Sequence, residues 1–136
     1  MNYRLYPNRF VRHVLSMPFI YWMIMPSIFL DLSIEIYHRI GFKLYGLPYV
    51  ERGKYIRIDR HKLEYLNTVQ KINCMYCGYV NGLFAYAVEI AGETEKYWCG
   101  IQHARMKGMH IPEHHEGFAE YGNEEEYQNK YPEAKA

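Results

Sequence analysis

Residues 74–103, CMYCGYVNGLFAYAVEIAGETEKYWCGIQH, contain all three cysteines of the chain and end on a histidine. Cys74 and Cys77 are separated by two residues, and Cys99 and His103 by three. Two thiols at the first spacing can reach one ion from a tight turn, and residues four apart lie on one face of a helical turn. An odd number of cysteines also cannot all pair as disulfides within one chain. We therefore predict a four-coordinate metal site built from these four residues.

The metal is predicted from the donor set. Three thiolates and one imidazole form a closed tetrahedral site of the kind that suits structural Zn²⁺, with Fe as the alternative. The run CMYCGY resembles the first knuckle of rubredoxins, Cys-x-x-Cys-Gly-Tyr, and Trp98-Cys99 resembles the aromatic-Cys opening of the second. That resemblance implies iron and electron transfer, but His103 stands one position later than the fourth rubredoxin cysteine would. Thiol–disulfide exchange at Cys74 and Cys77 is a further redox interpretation.

A charge-free segment lies near the N-terminus, where residues 14–30 read VLSMPFIYWMIMPSIFL. As a helix it would rise about 26 Å, slightly less than the roughly 30 Å hydrocarbon core of a bilayer. Pro18 and Pro26 each remove a backbone donor. Three interpretations remain open: a short kinked span, a helix lying in the membrane interface, and a buried core helix. No small-residue cleavage site follows the segment, so we expect it to stay attached.

Polar residues continue beyond this segment at helical spacing. Ser27, Asp31, Glu35 and His38 follow one another at intervals of four, four and three, which predicts a polar stripe along one side of a helix. We interpret the stripe as the wet side of a helix on the membrane surface. Glu35 and His38 match half of a di-iron motif, but the chain has no second Glu-x-x-His, so a metal role there is not predicted.

The remaining sequence predicts a small helical domain. Glycines and a proline punctuate residues 41–58, which indicates a connector with a short extended piece at 55–58. Asp59 is a candidate N-cap for a helix over residues 60–73, and a second helix is predicted over 82–97. The predicted division is an N-terminal membrane-associated segment at 1–40, a helical metal-binding domain at 41–118 and an acidic tail at 119–136.

A second candidate metal set is histidine-rich. His110 and His114 are at helical spacing and His115 is adjacent, but Pro112 between them disfavours a regular helix.

The charge balance limits the partners. The formal net charge is +1, which gives no basic excess of the kind that indicates nucleic-acid binding. Seven cations against two anions lie in residues 39–62, whereas seven anions against two cations lie in residues 113–136. The basic stretch suits anionic lipid head groups. Positive charges flank the apolar segment on both sides, so sidedness is predicted from the thiols alone, which favour the cytoplasm.

As a whole, residues 71–103 resemble an uncharacterised family of small bacterial membrane-associated proteins, which brings no activity with it. The sequence predicts a mainly α-helical protein with an apolar N-terminal helix at the membrane and a small helical domain stapled by the metal. We predict an accessory or assembly protein that presents this domain to a partner protein or a larger membrane complex. The sequence does not decide whether the protein is also an enzyme, although it favours a non-enzymatic role. The alternative is a redox protein, either rubredoxin-like or a thiol–disulfide exchanger.

Overall fold

The computed structural model describes residues 8–132, and its secondary structure is helical. The α-helices in chain order are α1 Arg9–Trp22, α2 Ile24–Tyr45, α3 Arg52–Tyr55, α4 Thr68–Trp98 and α5 Glu124–Lys130. Two 3₁₀ turns, Arg60–Lys62 and Glu113–His115, lie between them. Residues 8–132 contain no β-strand, and the β-type pairing that they do contain is an isolated bridge between Ile101 and Ala119. The prediction of a mainly α-helical protein is confirmed.

Helices α1 and α2 form one long rod interrupted at Met23. Pro26 is in the first turn of α2, where its missing N–H would have no intrahelical partner in any case, and Pro18 lies inside α1. Residues Phe10–Tyr45 form one helix that is long and apolar enough to cross a membrane, and they extend about 54 Å. Only 6% of the most apolar 18-residue stretch of this helix is buried inside the protein, which does not support the interpretation as a buried core helix.

Helix α4 replaces the two helices and the intervening turn expected from the sequence. It begins after Asn67, whose side chain accepts a hydrogen bond from the Gln70 backbone N–H at 2.9 Å. The Gln70 side chain accepts in return from the Asn67 N–H at 3.0 Å, which completes a capping box. The predicted helix at 60–73 is wrong in its first half, because Asp59 precedes only a 3₁₀ turn. The predicted turn at the cysteines is also wrong, since the helix runs through them.

Two glycines inside α4 let the connector approach closely. A Cβ on Gly78 would lie 2.6 Å from the carbonyl oxygen of Arg57, and one on Gly82 would lie 2.6 Å from that of Tyr55. Each helical glycine costs about 1 kcal/mol relative to alanine. This local cost is offset because the backbone of the connector can pack directly on the backbone of α4 at these two turns. The glycine after Cys77 therefore serves a tertiary contact and does not form a thiol turn.

Helices α2 and α4 run side by side in the same direction. At one end the Tyr79 hydroxyl donates to Asp31 Oδ2 at 2.8 Å, and at the other the rings of Tyr45 and Trp98 are 5.5 Å apart. Because the helices are parallel, residues 46–67 must return along their length, and they do so across the glycines of α4. The core between α2 and α4 consists of Phe42, Tyr86 and Ile90, packed against Ile34, Tyr37, Leu47, Val50 and Tyr55.

The chain after α4 folds back over the end of that helix. Gly100 reverses the direction with φ +71°, and the Ala119 N–H donates to its carbonyl at 2.8 Å. The ring of Tyr131 lies over Gly100, where a Cβ would be 2.5 Å from the ring. Residues 119–132, which the sequence assigns to an acidic tail, thus pack against the domain and include α5. Residues 1–7 of the predicted membrane-associated segment and residues 133–136 of the predicted acidic tail lie outside the described range.

Candidate functional site

The four predicted metal ligands do not come together. Cys74 and Cys77 lie within α4, Cys99 is its C-terminal cap, and His103 follows in the loop. Cys77 and Cys99 are 22 residues apart on one helix, a separation of about 33 Å at 1.5 Å per residue. One ion cannot bind both in this arrangement. All three thiols are free, and the predicted Cys₃His staple is not confirmed.

The two cysteines of the Cys-x-x-Cys pair occupy ordinary helical positions. Cys77 is exposed and its carbonyl accepts from the Asn81 side chain at 2.9 Å, while Cys74 is half-buried. Cys77 also lines a cavity of about 260 Å³ between α1 and α4, next to Tyr76 and Ile20. Without four converging ligands, a rubredoxin-like centre gains no support, and thiol–disulfide exchange stays an untested prediction.

The predicted polar stripe of α2 faces inward. Arg52 of α3 forms a bidentate pair with Asp31, with one Nη2–Oδ2 distance of 2.7 Å, and its Nη1 is 3.0 Å from Glu35 Oε1. Tyr79 of α4 donates to Asp31 Oδ2 at 2.8 Å. The interpretation of this stripe as the wet side of a surface helix is wrong, because these groups bind α3 and α4. The exposed side of α2 is instead mostly apolar, with the cations Arg39 and Lys43 near its C-terminal end.

His38 extends this network into the core. Its Nε2 accepts from the Val50 N–H at 3.1 Å, so the proton is on Nδ1, which is 2.9 Å from the Tyr86 hydroxyl. The Tyr86 hydroxyl in turn donates to Glu35 Oε1 at 3.2 Å. A continuous chain of hydrogen bonds thus runs from the connector through α2 and α4 to Arg52.

The electrostatics of the network match this arrangement. Burial raises the pKa of Tyr86 to about 12, and burial together with the Asp31 hydrogen bond raises the pKa of Tyr79 to about 12. The Asp31 hydrogen bond also raises the pKa of the Arg52 guanidinium. Each carboxylate oxygen of Asp31 and Glu35 accepts at least one of these bonds, the last from Arg39 at 3.2 Å. We conclude that the network fastens α2 to α3 and α4.

A second polar cluster lies at the far end of α4. Glu95 accepts from His114 Nε2 at 2.7 Å on one oxygen and from His115 Nε2 at 3.1 Å on the other. His103 stacks obliquely near His115, with ring centroids 5.3 Å apart. Ligand atoms of Glu95, His103 and His115 all lie within 4.8 Å of one another. The His114 hydrogen bond, more than any other contact, lowers the pKa of Glu95.

This cluster was only partly foreseen. The sequence singled out His103, but with cysteines that lie elsewhere, and it grouped His114 and His115 with His110, which is exposed and outside the cluster. Glu95 was missed altogether. It is 20 residues from His115 in a helix with other acidic residues, so only the chain reversal at Gly100 brings it to the histidines.

Comparisons with protein-family models, curated proteins and solved structures find no match to this chain. The resemblances to a bacterial membrane-associated family and to a rubredoxin knuckle therefore stay predictions.

Proposed function

We propose that this protein is a membrane-associated accessory protein, anchored by the apolar outer face of α1 and α2. The observation that carries the proposal is the orientation of this rod. Its polar stripe binds the rest of the molecule, whereas its large apolar side chains point outward. The outward residues of the two helices include Phe10, Leu15, Phe19, Trp22, Met25, Phe29, Leu32, Ile36, Ile40 and Leu44.

Such a surface is unfavourable in water. Each fully buried large apolar side chain contributes roughly 1.5–3 kcal/mol relative to an exposed one, and contiguous exposed apolar patches mark membrane or protein contact sites. A bilayer removes this surface from water without disturbing the polar stripe. The basic residues that follow α2, among them Arg57 and Arg60, suit anionic head groups.

An accessory role is supported by further exposed apolar side chains. Helix α4 exposes two separate pairs, Val69 with Ile72 near its start and Phe84 with Val88 about 18 Å further along. A protein that places one apolar face in lipid and presents further apolar side chains beside it is suited to contact a larger membrane complex. We propose such a complex as the partner.

Membrane binding is tested with matched pairs of substitutions in the full chain. Met25→Glu with Phe29→Glu changes two outer-face residues that are 66% and 74% exposed, and Met106→Glu with Tyr121→Glu changes two loop residues that are 74% and 69% exposed. We expect wild type and the loop variant to float with lipid vesicles and the outer-face variant to lose flotation. Equal flotation of both variants, or a monodisperse wild type without lipid or detergent, would overturn the proposal. Resistance to alkaline carbonate would then indicate a span, and extraction an interfacial helix.

Sidedness is tested through Cys99. Its thiol is exposed and free, which fits a reducing compartment, so we propose that the domain faces the cytoplasm. In a Cys74→Ser/Cys77→Ser background, which removes the other two free thiols, a membrane-impermeant maleimide should label Cys99 only after cells are opened, with the further change Cys99→Ser as the blank. Labelling in intact cells would place the domain on the other side.

A further inference from the structure

We propose that Glu95, His103 and His115 form a binding site for a first-row divalent transition metal, of which Zn²⁺ is the probe. This inference does not depend on membrane association. The three residues come from different parts of the fold: the last turn of α4, the loop after it and the 3₁₀ turn Glu113–His115. Nothing local in the sequence brings them together, so the back-folded chain itself constructs the cluster.

The spacing of the ligand atoms is close to what an ion needs. At metal–ligand distances near 2.1 Å, two ligands of a tetrahedral ion are about 3.4 Å apart. The three candidate atoms lie within 4.8 Å of one another. His103 is exposed, so rotation of its side chain can close the remaining gap without moving the core.

His115 is the buried ligand of the cluster. The residue is 2% exposed, and its Nε2 lies 3.1 Å from Glu95 Oε1, close to the spacing of two ligands on one ion. In one neutral tautomer Nε2 carries the proton and donates to the carboxylate. In the other tautomer the proton is on Nδ1, and the Nε2 lone pair and the carboxylate oxygen are both available to one cation. Imidazole is among the commonest metal ligands.

His114 positions the carboxylate of Glu95. It donates to the Glu95 oxygen that His115 does not contact, and metal-binding carboxylates are commonly held by such a second hydrogen bond. Gly92 makes room for it, because a Cβ there would lie 2.9 Å from His114 Nδ1. The carboxylate is thus fixed with one oxygen directed toward His115.

The donor chemistry selects the class of metal. Two imidazoles and one carboxylate suit Zn²⁺, Fe²⁺ and similar ions, whereas Ca²⁺ and Mg²⁺ prefer oxygen ligands alone. Three protein ligands also leave a coordination position open, unlike the closed Cys₃His site expected from the sequence.

The test is metal binding by detergent-solubilised full-length protein, stripped with chelator and titrated with Zn²⁺ in a calorimeter. We expect one equivalent to bind. His103→Ala should weaken binding by roughly tenfold or more, since even loss of an outer partner of a metal ligand has an effect of that size. His110→Ala is the matched control, because His110 is also exposed but lies outside the cluster, and its affinity should equal that of wild type. Circular dichroism confirms that both variants are folded.

Cobalt distinguishes this site from a thiolate site. Co²⁺ bound by nitrogen and oxygen gives visible ligand-field bands without the near-ultraviolet charge-transfer bands of thiolate ligands. We expect no such charge transfer, and we expect Cys99→Ser to bind as wild type does. The proposal is overturned by absence of saturable Zn²⁺ binding, by equal affinity of His103→Ala and His110→Ala, or by loss of binding in Cys99→Ser.

Discussion

Two clusters in this protein combine carboxylates with histidine, and they differ in how completely their polar atoms are paired. In the network between α2, α3 and α4, both nitrogens of His38 and all four oxygens of Asp31 and Glu35 have partners. In the cluster at the end of α4, His115 Nδ1 has no partner within residues 8–132. A fully paired network stabilises a fold, whereas a cluster in which one imidazole can change tautomer and a second is exposed can still take up a ligand.

The largest expected effect is at Arg52. Arg52→Met removes the cation that two partly buried carboxylates share and leaves Asp31 with only the Tyr79 hydroxyl, so we expect a loss of about 3 kcal/mol in the free energy of unfolding. Lys54→Met is the matched control, because its pair with Glu51 is exposed and such pairs contribute less than about 1 kcal/mol. Thermal unfolding in detergent measures both. Equal melting temperatures would show that the network does not fasten the helices.

The next largest effect is expected at Gly82, and the same substitution at Gly92 gives the comparison in the region of the second cluster. Gly82→Ala places a methyl group 2.6 Å from the backbone oxygen of Tyr55, so we expect destabilisation by about 2 kcal/mol although alanine favours helices. Gly92→Ala meets only the side chain of His114, which can move, and its effect should be smaller. Gly53→Ala, which meets nothing within 4 Å, is the control. If Gly82→Ala is stabilising, the close approach of the connector is wrong.

These glycines also show what the sequence could not reveal. Gly78, directly after Cys77, indicates a turn as long as only local geometry is considered, whereas its role is contact with Arg57, more than 20 positions away. Helical periodicity located the stripe of Ser27, Asp31, Glu35 and His38 correctly. It could not say which side faces inward, because this rod reverses the usual rule that apolar residues are inside. The helical class and the apolar segment were predictable because they depend on local pattern.

A smaller effect is expected at Tyr86. Tyr86→Phe removes the hydroxyl between His38 and Glu35 and should reduce the free energy of unfolding by about 1 kcal/mol. The wild-type tyrosine has a folded pKa of about 12 against an ordinary value of 10.0. Its contribution is therefore complete below pH 10 and is lost as the pH rises toward 12. Alkaline melting curves should consequently converge for wild type and variant, and curves that stay parallel would contradict this.

The smallest effect is expected at His103 without metal. His103 is exposed, so His103→Ala should change the free energy of unfolding by less than about 0.5 kcal/mol in chelator. With Zn²⁺ at 100 times its dissociation constant, wild type should gain about 2.7 kcal/mol and the variant much less. Arg52→Met should respond to Zn²⁺ as wild type does, since this substitution changes the network between α2, α3 and α4 and not the cluster at the end of α4. If Zn²⁺ left the melting temperature of the wild type unchanged, the proposed difference between the two clusters would be wrong.

The glycines of α4 have one more consequence, for self-association. Gly78 and Gly82 are separated by three residues, the small-xxx-small spacing through which membrane helices commonly dimerise. Here that groove is filled by the connector of the same chain, whose backbone lies against both positions. A second copy cannot use it without displacing the connector, so any assembly of this protein in a membrane must form through a different face.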